Sequence, residues 1–542
     1  MDPAVRTAHA KLMKVRERTD LTIRSTPFLK DTIYNLAGEP IPFRLRYYQI
    51  QMVIHLMIMD RFVVGDDTGL GKTLESIAAL CYLWEKQPDT KALVLTKKSA
   101  VKQWANEGFG KFTNGVNVFV SKGPPKQRAK IRAAFEAATG PTVIIMGYRS
   151  AVQDFRHIQN WKGYVFIGDE ATVFKNPRTQ VHQVCKHLGQ QASKAWGLSA
   201  TIIKNRLDEG YGIYKVIIPN LFPMAPTAFI KNYCITRLQR VAGNRQIPVI
   251  VGYRQSDIER FRLKIEPYFL GRPKHAVASE LPPLTIRTVK VGMTRFQHSK
   301  YQEALTGLLE IGTGEEKEVS KLTSIIYCQE IVNHPCLIDY EDETSEKLDA
   351  LTDLLTEGGD FFDEKVIIFT RFRKMVDFAV PHLEAKGIRC VRVTGAEDED
   401  QRQDAMESFQ DLTSDTRVIF ITMAGGDAIN LQAAKALVFF DTPWSAGDYL
   451  QILGRMIRIG SIHDRVYALH LVTKASIDER VMEVMKKKMK LVEAIIGKRI
   501  KGESDPDMSV DGLGEDAEFE VTSEITELFD ALREDALATV RS

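Results

Sequence analysis

Residues 63–75 carry the pattern in this chain that most directly suggests chemistry. They read Val63-Val-Gly-Asp-Asp-Thr-Gly-Leu-Gly-Lys-Thr-Leu-Glu75. An apolar strand at 61–64 leads into a glycine-containing loop, and the pattern predicts a helix directly after it, over Leu74–Trp84. The first N–H groups of a helix have no partner within the helix, and the helix dipole favours an anion there. Phosphate oxygens can therefore bind at this loop.

Individual residues of the loop suit a nucleotide phosphate. Gly69 and Gly71 lack the Cβ atom that would obstruct a loop curling around oxygens. Lys72 can reach the β- and γ-phosphates, and the hydroxyl of Thr73 can hold Mg²⁺. The phosphate-loop consensus has a glycine five residues before Gly71, where this chain has Asp66. Taken alone, the pattern is also compatible with a tight strand–helix turn and an exposed lysine.

An acidic pair lies about a hundred residues further along the chain. The apolar strand 164–168 ends in Asp169 and Glu170. Asp169 can hold the Mg²⁺ ion that Thr73 also contacts, and Glu170 can polarise an attacking water. Most acidic pairs at strand ends are simply solvated, so this pair gains its meaning from its order behind a phosphate loop.

Two stretches of alternating strands and helices must position these residues. Apolar β-rich runs with helical connections predict parallel, doubly wound sheets, which bind ligands at the carboxyl ends of their strands. The second stretch has no phosphate loop of its own. The predicted strands are 61–64, 92–96, 117–120, 142–146, 164–168 and 195–198 in the first stretch, and 366–369, 389–393, 417–421, 436–440 and 466–472 in the second.

Together, these motifs resemble the superfamily-two ATPases of the Swi/Snf type. Asp169-Glu-Ala-Thr172 followed by Phe174-Lys-Asn-Pro177 is similar to their D-E-A-H…K-N-P element. The loop Gly65–Thr73 is similar to D-E-M-G-L-G-K-T, in which the family also has Asp at position 66. Leu45-Arg-Tyr-Tyr-Gln49 resembles L-R-P-Y-Q, whose Gln reads adenine, and 198–201 resembles L-T-G-T-P. The resemblance assigns nucleotide binding to Arg46, Gln49, Asp66, Thr68, Gly69, Leu70, Gly71, Lys72 and Thr73, with Lys72 and Glu170 catalytic.

The second stretch extends the resemblance. Gln451-Ile-Leu-Gly-Arg455-Met-Ile-Arg458-Ile-Gly460 is similar to Q-x-x-G-R-x-H-R-I-G-Q. We predict Arg455 and Arg458 on one helical face, three residues apart, so that both guanidinium groups can point across a cleft. Arginines that donate to a γ-phosphate contribute about 1,000-fold or more to the rate. Residues 422–431 resemble T-x-A-G-G-x-G-I-N-L, which adds Gly426 to the nucleotide-binding set, together with Gln451.

Polar residues near strand ends are the predicted nucleic-acid contacts. Threonine and arginine at such positions can donate to backbone phosphates and so bind DNA without reading its sequence. Without the family resemblance, ordinary strand-end polar residues explain them equally well. In the family the tryptophan after Pro443 lies near DNA. The predicted DNA contacts are Lys97, Lys98, Arg149, Thr370, Arg371, Thr394, Gly395, Thr422 and Trp444.

Other segments are assigned from composition and resemblance. Residues 216–345 break the alternation and resemble the helical protrusions of the family, with 269–274 resembling its R-R-x-K segment between the lobes. The basic amphipathic stretch Val5–Arg18 is interpreted as a docked helix rather than a DNA-contacting arm. The predicted helix Val481–Ile496 resembles a brace helix that packs on the first lobe.

Charge is unevenly distributed along the 542 residues. The net charge is +3, yet residues 501–542 carry 13 Asp and Glu against 3 Lys and Arg, so the remaining 500 residues carry +13. A basic body of this kind favours a polyanionic partner or is an ordinary basic surface. The acidic tail is predicted to be disordered or loosely docked, and to be able to bind a protein partner.

Cysteine usage and hydropathy indicate a cytoplasmic protein. The six cysteines form no C-x-x-C pair and are interpreted as reduced, mostly buried thiols. No apolar run approaches the roughly 20 residues that span a bilayer, and the N-terminus lacks a signal-peptide core. We therefore expect no membrane association.

The predicted fold class is α/β, with two RecA-like doubly wound parallel-sheet domains and helical protrusions between them. The predicted boundaries are 1–40 for an extension, 41–215 for lobe one, 216–345 for the protrusions, 346–480 for lobe two, 481–500 for the brace helix and 501–542 for the tail. The resemblance covers about 43–496 and implies an ATP- and Mg²⁺-dependent translocase on double-stranded DNA. We expect a monomer, and the compact length without chromatin-reading modules favours a motor of bacterial or bacteriophage type.

Three other functions remain open at this point. The same motifs occur in strand-separating or branch-migrating helicases, which act on forked or branched DNA. An ATPase that displaces RNA polymerase is a further alternative. A non-catalytic DNA-binding scaffold would be expected to have lost Lys72, Glu170 or an arginine, all of which are present.

Overall fold

Two mainly parallel sheets organise the chain in the computed structural model. The structure describes residues 2–34, 39–200, 202–203, 206–241, 245–277, 281–306, 308–311, 315–318, 321–340, 344–425, 429–458, 461–496, 502–504 and 519–520. The chain divides into two units, the first comprising Met1–Cys234 and Gln255–Val277, the second Ile235–Arg254 and Ala278–Ser542.

Strands and helices are numbered along the chain. The strands among the described residues are β1 (Thr32–Tyr34), β2 (Pro40–Pro42), β3 (Arg61–Val64), β4 (Lys91–Thr96), β5 (Asn117–Ser121), β6 (Thr142–Gly147), β7 (Val165–Asp169), β8 (Lys194–Leu198), β9 (Ile235–Val241), β10 (Arg245–Tyr253), β11 (Phe269–Leu270), β12 (Leu284–Val291), β13 (Leu308–Ile311), β14 (Glu315–Glu318), β15 (Val366–Phe369), β16 (Arg389–Val393), β17 (Thr416–Ile421), β18 (Ala436–Phe439), β19 (Val466–Thr473), β20 (Gly502–Ser504) and β21 (Phe519–Glu520). The helices are α1 (Pro3–Arg16), α2 (Tyr47–Ile58), α3 (Lys72–Lys86), α4 (Val101–Gln103), α5 (Pro125–Ala137), α6 (Tyr148–Gln153), α7 (Phe155–Ile158), α8 (Gln180–Gln191), α9 (Leu207–Ile217), α10 (Pro226–Tyr233), α11 (Gln255–Ile265), α12 (Lys274–Val277), α13 (Arg295–Thr306), α14 (Lys321–Asn333), α15 (Glu346–Leu355), α16 (Arg373–Glu384), α17 (Glu399–Gln410), α18 (Ala446–Met456) and α19 (Ile477–Ile496).

The first unit is built on the parallel sheet β11-β3-β8-β7-β4-β6-β5. All six strands predicted for it are present, each within about one residue of its predicted ends. Strand β6 is buried at every residue, as expected for a parallel strand covered on both faces. The prediction missed the seventh strand, β11, because its two residues are too few to show a pattern.

The N-terminal helix α1 docks on the first unit, as the amphipathic pattern predicts. Its Leu12 is fully buried and belongs to the same apolar core as α2, α3 and β3. The amide of Gln51, on α2, donates to the carbonyls of Val15, Arg16 and Arg18 at the end of the helix. These bonds attach the end of α1 and the residues directly after it to α2.

The second unit is built on the parallel sheet β16-β17-β15-β18-β19-β12-β20. The five strands predicted for it are present. Strand β12 lies within 216–345, the segment expected to form helical protrusions, and so does the antiparallel hairpin β9–β10. That segment is therefore partly β-structure, because the apolar side chains of β12 find a neighbour in β19 that is distant in the sequence.

The C-terminal helix and the cysteines also follow the predictions. Helix α19 contains the predicted helix 481–496 and begins four residues earlier. All six cysteines are free and four of them are buried. Within the described stretches, no helix combines the length and apolar character that crossing a bilayer requires. The predicted tail lies outside the described residues, apart from β20 and β21.

Candidate nucleotide-binding site

The predicted phosphate loop joins β3 to α3, and Lys72 is the first residue of that helix. Gly69 and Gly71 have φ angles of 87° and 97°, in the left-handed region that favours glycine. A Cβ atom at Gly71 would lie 2.7 Å from Nε2 of Gln49. The two glycines therefore allow both the turn and the close approach of a neighbouring side chain.

Gln49 holds the loop from the side. Its Nε2 donates to the carbonyl of Leu70 at 3.1 Å, and the hydroxyl of Tyr48 donates to the same carbonyl at 3.2 Å. Its Oε1 accepts from the backbone N of Arg46 at 3.0 Å, while Arg46 itself is exposed at the start of α2. The structure thus brings Gln49 against the phosphate loop, with Arg46 bonded to it at the start of α2, and nucleotide binding by both residues stays a prediction.

Lys72 and the residues next to it lie where a phosphate group could reach them. Nζ of Lys72 donates to the carbonyls of Asp66 and Asp67, at 2.7 and 3.2 Å, so the loop surrounds the ammonium group. Thr73 and Thr68 are half-buried. The side chain of Leu70 is buried, so this residue serves the loop through its backbone.

Asp66 requires a correction to the predicted nucleotide-binding set. Its carboxylate is fully buried, and Oδ1 accepts from the backbone N and from Nε of Arg272 at 2.9 and 3.0 Å. A further bond joins its Oδ2 to Nη2 of Arg272. The carboxylate is therefore committed to a buried ion pair, and Asp66 supports the loop instead of facing a nucleotide.

The acidic pair stands at the end of β7, with only β8 between that strand and β3. Oδ2 of Asp169 accepts from Oγ1 of Thr96 at 2.7 Å and from Nε1 of Trp104 at 2.8 Å. Burial and the neighbouring charge of Glu170 raise the pKa of Asp169, whereas the charge of Lys72 acts in the opposite direction. The phosphate-loop lysine and the acidic pair are therefore within electrostatic range of each other.

Glu170 has an unusual backbone conformation. Its φ of 52° lies in the left-handed region, which costs a residue with a side chain on the order of 1 kcal/mol. The hydroxyl of Tyr148 donates to the carbonyl of Asp169, and a short helical turn over Ala171–Phe174 follows. Strain of this kind is typical of functional sites, where the surrounding structure holds a side chain in place.

The donor set fits a nucleotide and a hard cation. Mg²⁺ prefers oxygen ligands, and the Thr73 hydroxyl with the Asp169 carboxylate supplies this chemistry. The loop conformation at Gly69 and Gly71, ahead of the first N–H groups of α3, which a helix leaves without intrahelical partners, suits a phosphate group.

The arginine motif of the second unit departs from the predicted helical pair. Arg455 lies near the end of α18, but the helix ends at Met456 and Ile457 is extended, so Arg458 lies beyond it. Nε of Arg458 donates to the carbonyl of Gly454 at 3.1 Å. Burial and, after it, the charge of Arg455 lower the pKa of Arg458 to about 9. Arg455 and Arg458 therefore do not share a helical face, although the charge of Arg455 still acts on Arg458.

Two other predicted nucleotide-binding residues belong to the second unit. Gln451 is half-buried on α18, one helical turn before Arg455. Gly426 lies outside the described residues.

The predicted DNA contacts of the first unit lie at the carboxyl ends of neighbouring strands. Lys97 and Lys98 follow β4, and Arg149 follows β6 as the second residue of α6. Lys98 and Arg149 are exposed and Lys97 is half-buried. Since β4 and β6 are adjacent and parallel, these three cations share one edge of the sheet.

Asp441 binds two of the predicted DNA contacts of the second unit, Thr370 and Arg371. Oγ1 of Thr370 donates to its Oδ2 at 2.6 Å, and the backbone N of Arg371 donates to its Oδ1 at 3.0 Å. The guanidinium of Arg371 lies 4.7 Å from the ring centre of Trp444 and donates to Oε1 of Gln329 at 2.9 Å. Thr370 is fully buried, so the structure does not support a DNA contact through its side chain.

Thr394 and Thr422 are likewise turned inward. Oγ1 of Thr394 donates to the carboxylate of Glu397 at 2.9 Å, and Oγ1 of Thr422 donates to the carbonyl of Thr394 at 2.7 Å. Both residues are buried, so neither hydroxyl is presented to a nucleic acid. Gly395, the next residue after Thr394, is exposed and has a φ of 97°.

Sequence reasoning missed several residues that build the site. Trp104 and Tyr148 orient the acidic pair, and no local pattern marks them. Thr96 could have been found, because it ends the strand that pairs with β7. Arg272 belongs to the segment 269–274, which resembles a motif of the family, but the motif does not indicate that Asp66 is its partner.

Fold and site together define a class of protein: a helicase-like protein with two parallel-sheet units, whose first unit carries a phosphate loop and an acidic pair. The chain belongs to the SNF2-related family. The family model for the SNF2-related domain matches residues 48–337, and the model for the helicase conserved C-terminal domain matches 346–460.

Individual relatives are distant. The chain is 26% identical over 474 residues to "Chromodomain-helicase-DNA-binding protein 1-like" of Danio rerio, covering 83% of this chain and 44% of the relative. It is 26% identical over 509 residues to "ATP-dependent DNA helicase DDM1" of Arabidopsis thaliana, covering 88% and 65%. The solved "Sulfolobus solfataricus SWI2/SNF2 ATPase core in complex with dsDNA" is 22% identical, covers 88% of this chain and 95% of that one, and has a TM-score of 0.41. The chain thus spans less than two thirds of these curated relatives.

Proposed function

We propose that this chain is an ATP-driven motor of the Swi/Snf type, which hydrolyses ATP when bound to double-stranded DNA and moves along it. One observation carries the proposal: the phosphate loop with Lys72 and the acidic pair Asp169–Glu170 occupy the same end of one parallel sheet, close enough for the Lys72 charge to act on Asp169. This is the arrangement that phosphoryl transfer to water requires.

Each residue of the first unit has a proposed role. Lys72 binds the β- and γ-phosphates, and Gln49 contacts the adenine. Glu170 accepts a proton from, or orients, the attacking water. Mg²⁺ would be held by Thr73 and Asp169, and when bound it neutralises charge that develops on the phosphate oxygens.

Arg455 and Arg458 are proposed to donate to the γ-phosphate in the catalytic state. Burial lowers the pKa of Arg458, and the charge of Arg455 lowers it further, which is the effect expected of repulsion between two like charges. A triphosphate would relieve that repulsion, and removal of either arginine should slow hydrolysis strongly.

Duplex DNA is proposed as the polymer on which the motor acts. The relatives named above are a helicase-DNA-binding protein and a DNA helicase. In this chain Lys97, Lys98 and Arg149 form a cationic group at one sheet edge, which suits sequence-independent contacts to phosphates. We also propose that the protein acts as a monomer and that its acidic tail binds a protein partner.

The test measures ATP hydrolysis by the full chain with and without duplex, single-stranded, forked and four-way DNA. We expect stimulation by duplex DNA, and we expect Lys72→Ala and Glu170→Gln to abolish turnover. Glu107→Gln makes the same chemical change as Glu170→Gln at an exposed residue and should leave turnover unchanged. Wild-type turnover in both site variants would refute the assigned chemistry.

A strand-separating helicase is the second candidate, since the name of one relative describes a DNA helicase. Displacement of a triplex-forming strand reports movement along duplex DNA, whereas displacement of a base-paired strand reports separation. ATP-dependent triplex displacement without strand separation supports the motor. Separation of forked substrates would favour the helicase.

A further inference from the structure

A segment from far along the chain lies against the phosphate loop. We call residues 269–274 the latch segment. Strand β11 within it pairs with β3, and the pairing continues past the strand end, where the backbone N of Gly65 donates to the carbonyl of Leu270 at 2.7 Å. The backbone N of Asp67 then donates to the carbonyl of Arg272 at 3.1 Å. The first part of the phosphate loop, residues 65–67, is thus hydrogen-bonded to the latch segment in the way that one strand is bonded to the next.

Side chains complete this attachment. The backbone N of Lys274 donates to Oδ2 of Asp67 at 2.9 Å, and the backbone N of Arg272 donates to Oδ1 of Asp66 at 2.9 Å. The guanidinium of Arg272 binds both carboxylate oxygens of Asp66 and also donates to Oε1 of Gln51 at 2.9 Å. Arg272 is buried and Asp66 is fully buried, so the ion pair is shielded from solvent.

A second acid shares this buried site. Oε1 of Glu75, on α3, lies 3.4 Å from Nη2 of Arg272, and Glu75 is fully buried. Burial and the charge of Asp66 raise the pKa of Glu75 well above its ordinary value. A neutral Glu75 leaves one carboxylate and one guanidinium, so the charges in the buried site balance.

The same loop carbonyls connect this site to the phosphate-binding lysine. Lys72 donates to the carbonyls of Asp66 and Asp67. The side chains of these same two residues accept hydrogen bonds from the latch segment. Any rotation of the backbone at 66–67 would therefore move the acceptors that hold the ammonium group. The position of the Lys72 ammonium group therefore depends on the ion pair between Asp66 and Arg272.

We propose that Arg272 is a positioning residue for ATP binding: through Asp66 and the latch segment it holds the phosphate loop in the conformation that accepts the nucleotide. It touches neither substrate nor reacting atoms. This proposal rests on the proposed function, since it assumes that the loop binds ATP.

The test compares Arg272→Met and Arg272→Lys with the wild-type full chain. The readouts are the KM for ATP and kcat at saturating duplex DNA, together with direct binding of a fluorescent ATP analogue. Arg272→Met should raise the KM and the analogue Kd by about tenfold or more, which corresponds to roughly 1.4 kcal/mol of binding free energy. We expect kcat at saturating ATP to change by less than about threefold, because the groups at the reacting atoms remain.

Two further variants separate positioning from general loss of structure. Arg272→Lys keeps the charge but not the paired donors, so it should fall between wild type and Arg272→Met. Asp66→Asn combined with Arg272→Met leaves no unpaired buried charge and should recover at least half of the lost affinity on a logarithmic scale. Equal KM values for wild type and Arg272→Met, or a double variant weaker than Arg272→Met, would overturn the proposal.

Arg61→Met is the matched control. Arg61 is a half-buried arginine at the opposite end of β3, where it donates to the carbonyls of Gly189, Ala192 and Ile217. Its loss should lower the melting temperature but leave the KM for ATP unchanged. A raised KM in Arg61→Met would mean that general destabilisation explains the effect, and it would overturn the proposal.

Lys72→Ala distinguishes failure of this inference from failure of the proposed function. If Lys72→Ala lacks analogue binding or turnover while Arg272→Met behaves like wild type, only the positioning role is wrong. If neither variant differs from wild type, the loop is not the ATP site and both are wrong.

Discussion

Gly71→Ala is the sharpest test of the loop geometry. The residue has φ of 97°, where an L-residue with a side chain is strained by about 1–2 kcal/mol. The new methyl group would also lie 2.7 Å from Nε2 of Gln49, so the Gln49 side chain must move. That movement breaks its bond to the carbonyl of Leu70, which contributes about 1 kcal/mol.

Two effects of this substitution are measurable. The strain should lower the melting temperature of the first unit by roughly 2–8 °C, given about 2–4 °C for each kcal/mol in a domain of this size. The loss of the Gln49 contact should raise the KM for ATP by about fivefold or more, since 1 kcal/mol corresponds to a factor of about five. Differential scanning fluorimetry and steady-state ATPase kinetics provide the two values.

Gly115→Ala is the matched control, because Gly115 also has a positive φ, 63°, but has no atom within 4 Å of an added Cβ. It should lose a similar amount of stability and retain the wild-type KM. If Gly71→Ala kept the wild-type KM while losing stability, the role given to Gln49 at the loop would be refuted.

Three further predictions concern the scaffold. Gly212→Ala places a Cβ atom 2.3 Å from the carbonyl oxygen of Lys175, a backbone clash that should prevent stable folding of the first unit, as judged by its solubility and circular dichroism. Burial lowers the pKa of His470 to about 3, below its unfolded value near 6.5, so its contribution to stability is complete above pH 6.5 and is lost as the pH falls toward 3. The full loss is about 4–5 kcal/mol, and His470→Gln should show a weaker dependence of the unfolding free energy on pH over that range. Lys347→Met removes a fully buried ammonium group that lies 2.6 Å from Oδ2 of Asp478, so it should lower the free energy of unfolding in urea by about 3–5 kcal/mol. The double variant with Asp478→Asn should regain part of this free energy. Equal stability of wild type and Lys347→Met would contradict the prediction.

Local patterns explain how much of the fold was predictable. The strands of both sheets were predicted because a parallel strand covered on both faces is a continuous apolar run, and such a run is visible in neighbouring residues. The phosphate loop was predictable for a similar reason. Its glycines, Lys72 and Thr73 are adjacent in sequence, and the loop needs those residue types at that spacing.

The partners of buried polar groups were not predictable in this way. The sequence pattern predicts Asp66 at the nucleotide, yet its partner Arg272 lies 206 positions away and reaches it only because β11 pairs with β3. The pattern predicts that the Thr370 hydroxyl faces DNA, but the carboxylate of Asp441, 71 residues later, accepts its hydrogen bond in the interior. Spacing along one element carries no information about such pairs.

The sequence by itself determined the family of this protein, the positions of its phosphate loop and acidic pair, and most of the strands, because each depends on residues that are close together in the chain. Only the tertiary structure decided which acids face the site and which support it, and that Arg458 lies beyond the end of α18. Those outcomes depend on the order of strands in a sheet and on where a helix stops. Both are fixed by contacts between distant residues and by the cost of leaving a buried polar group without a partner.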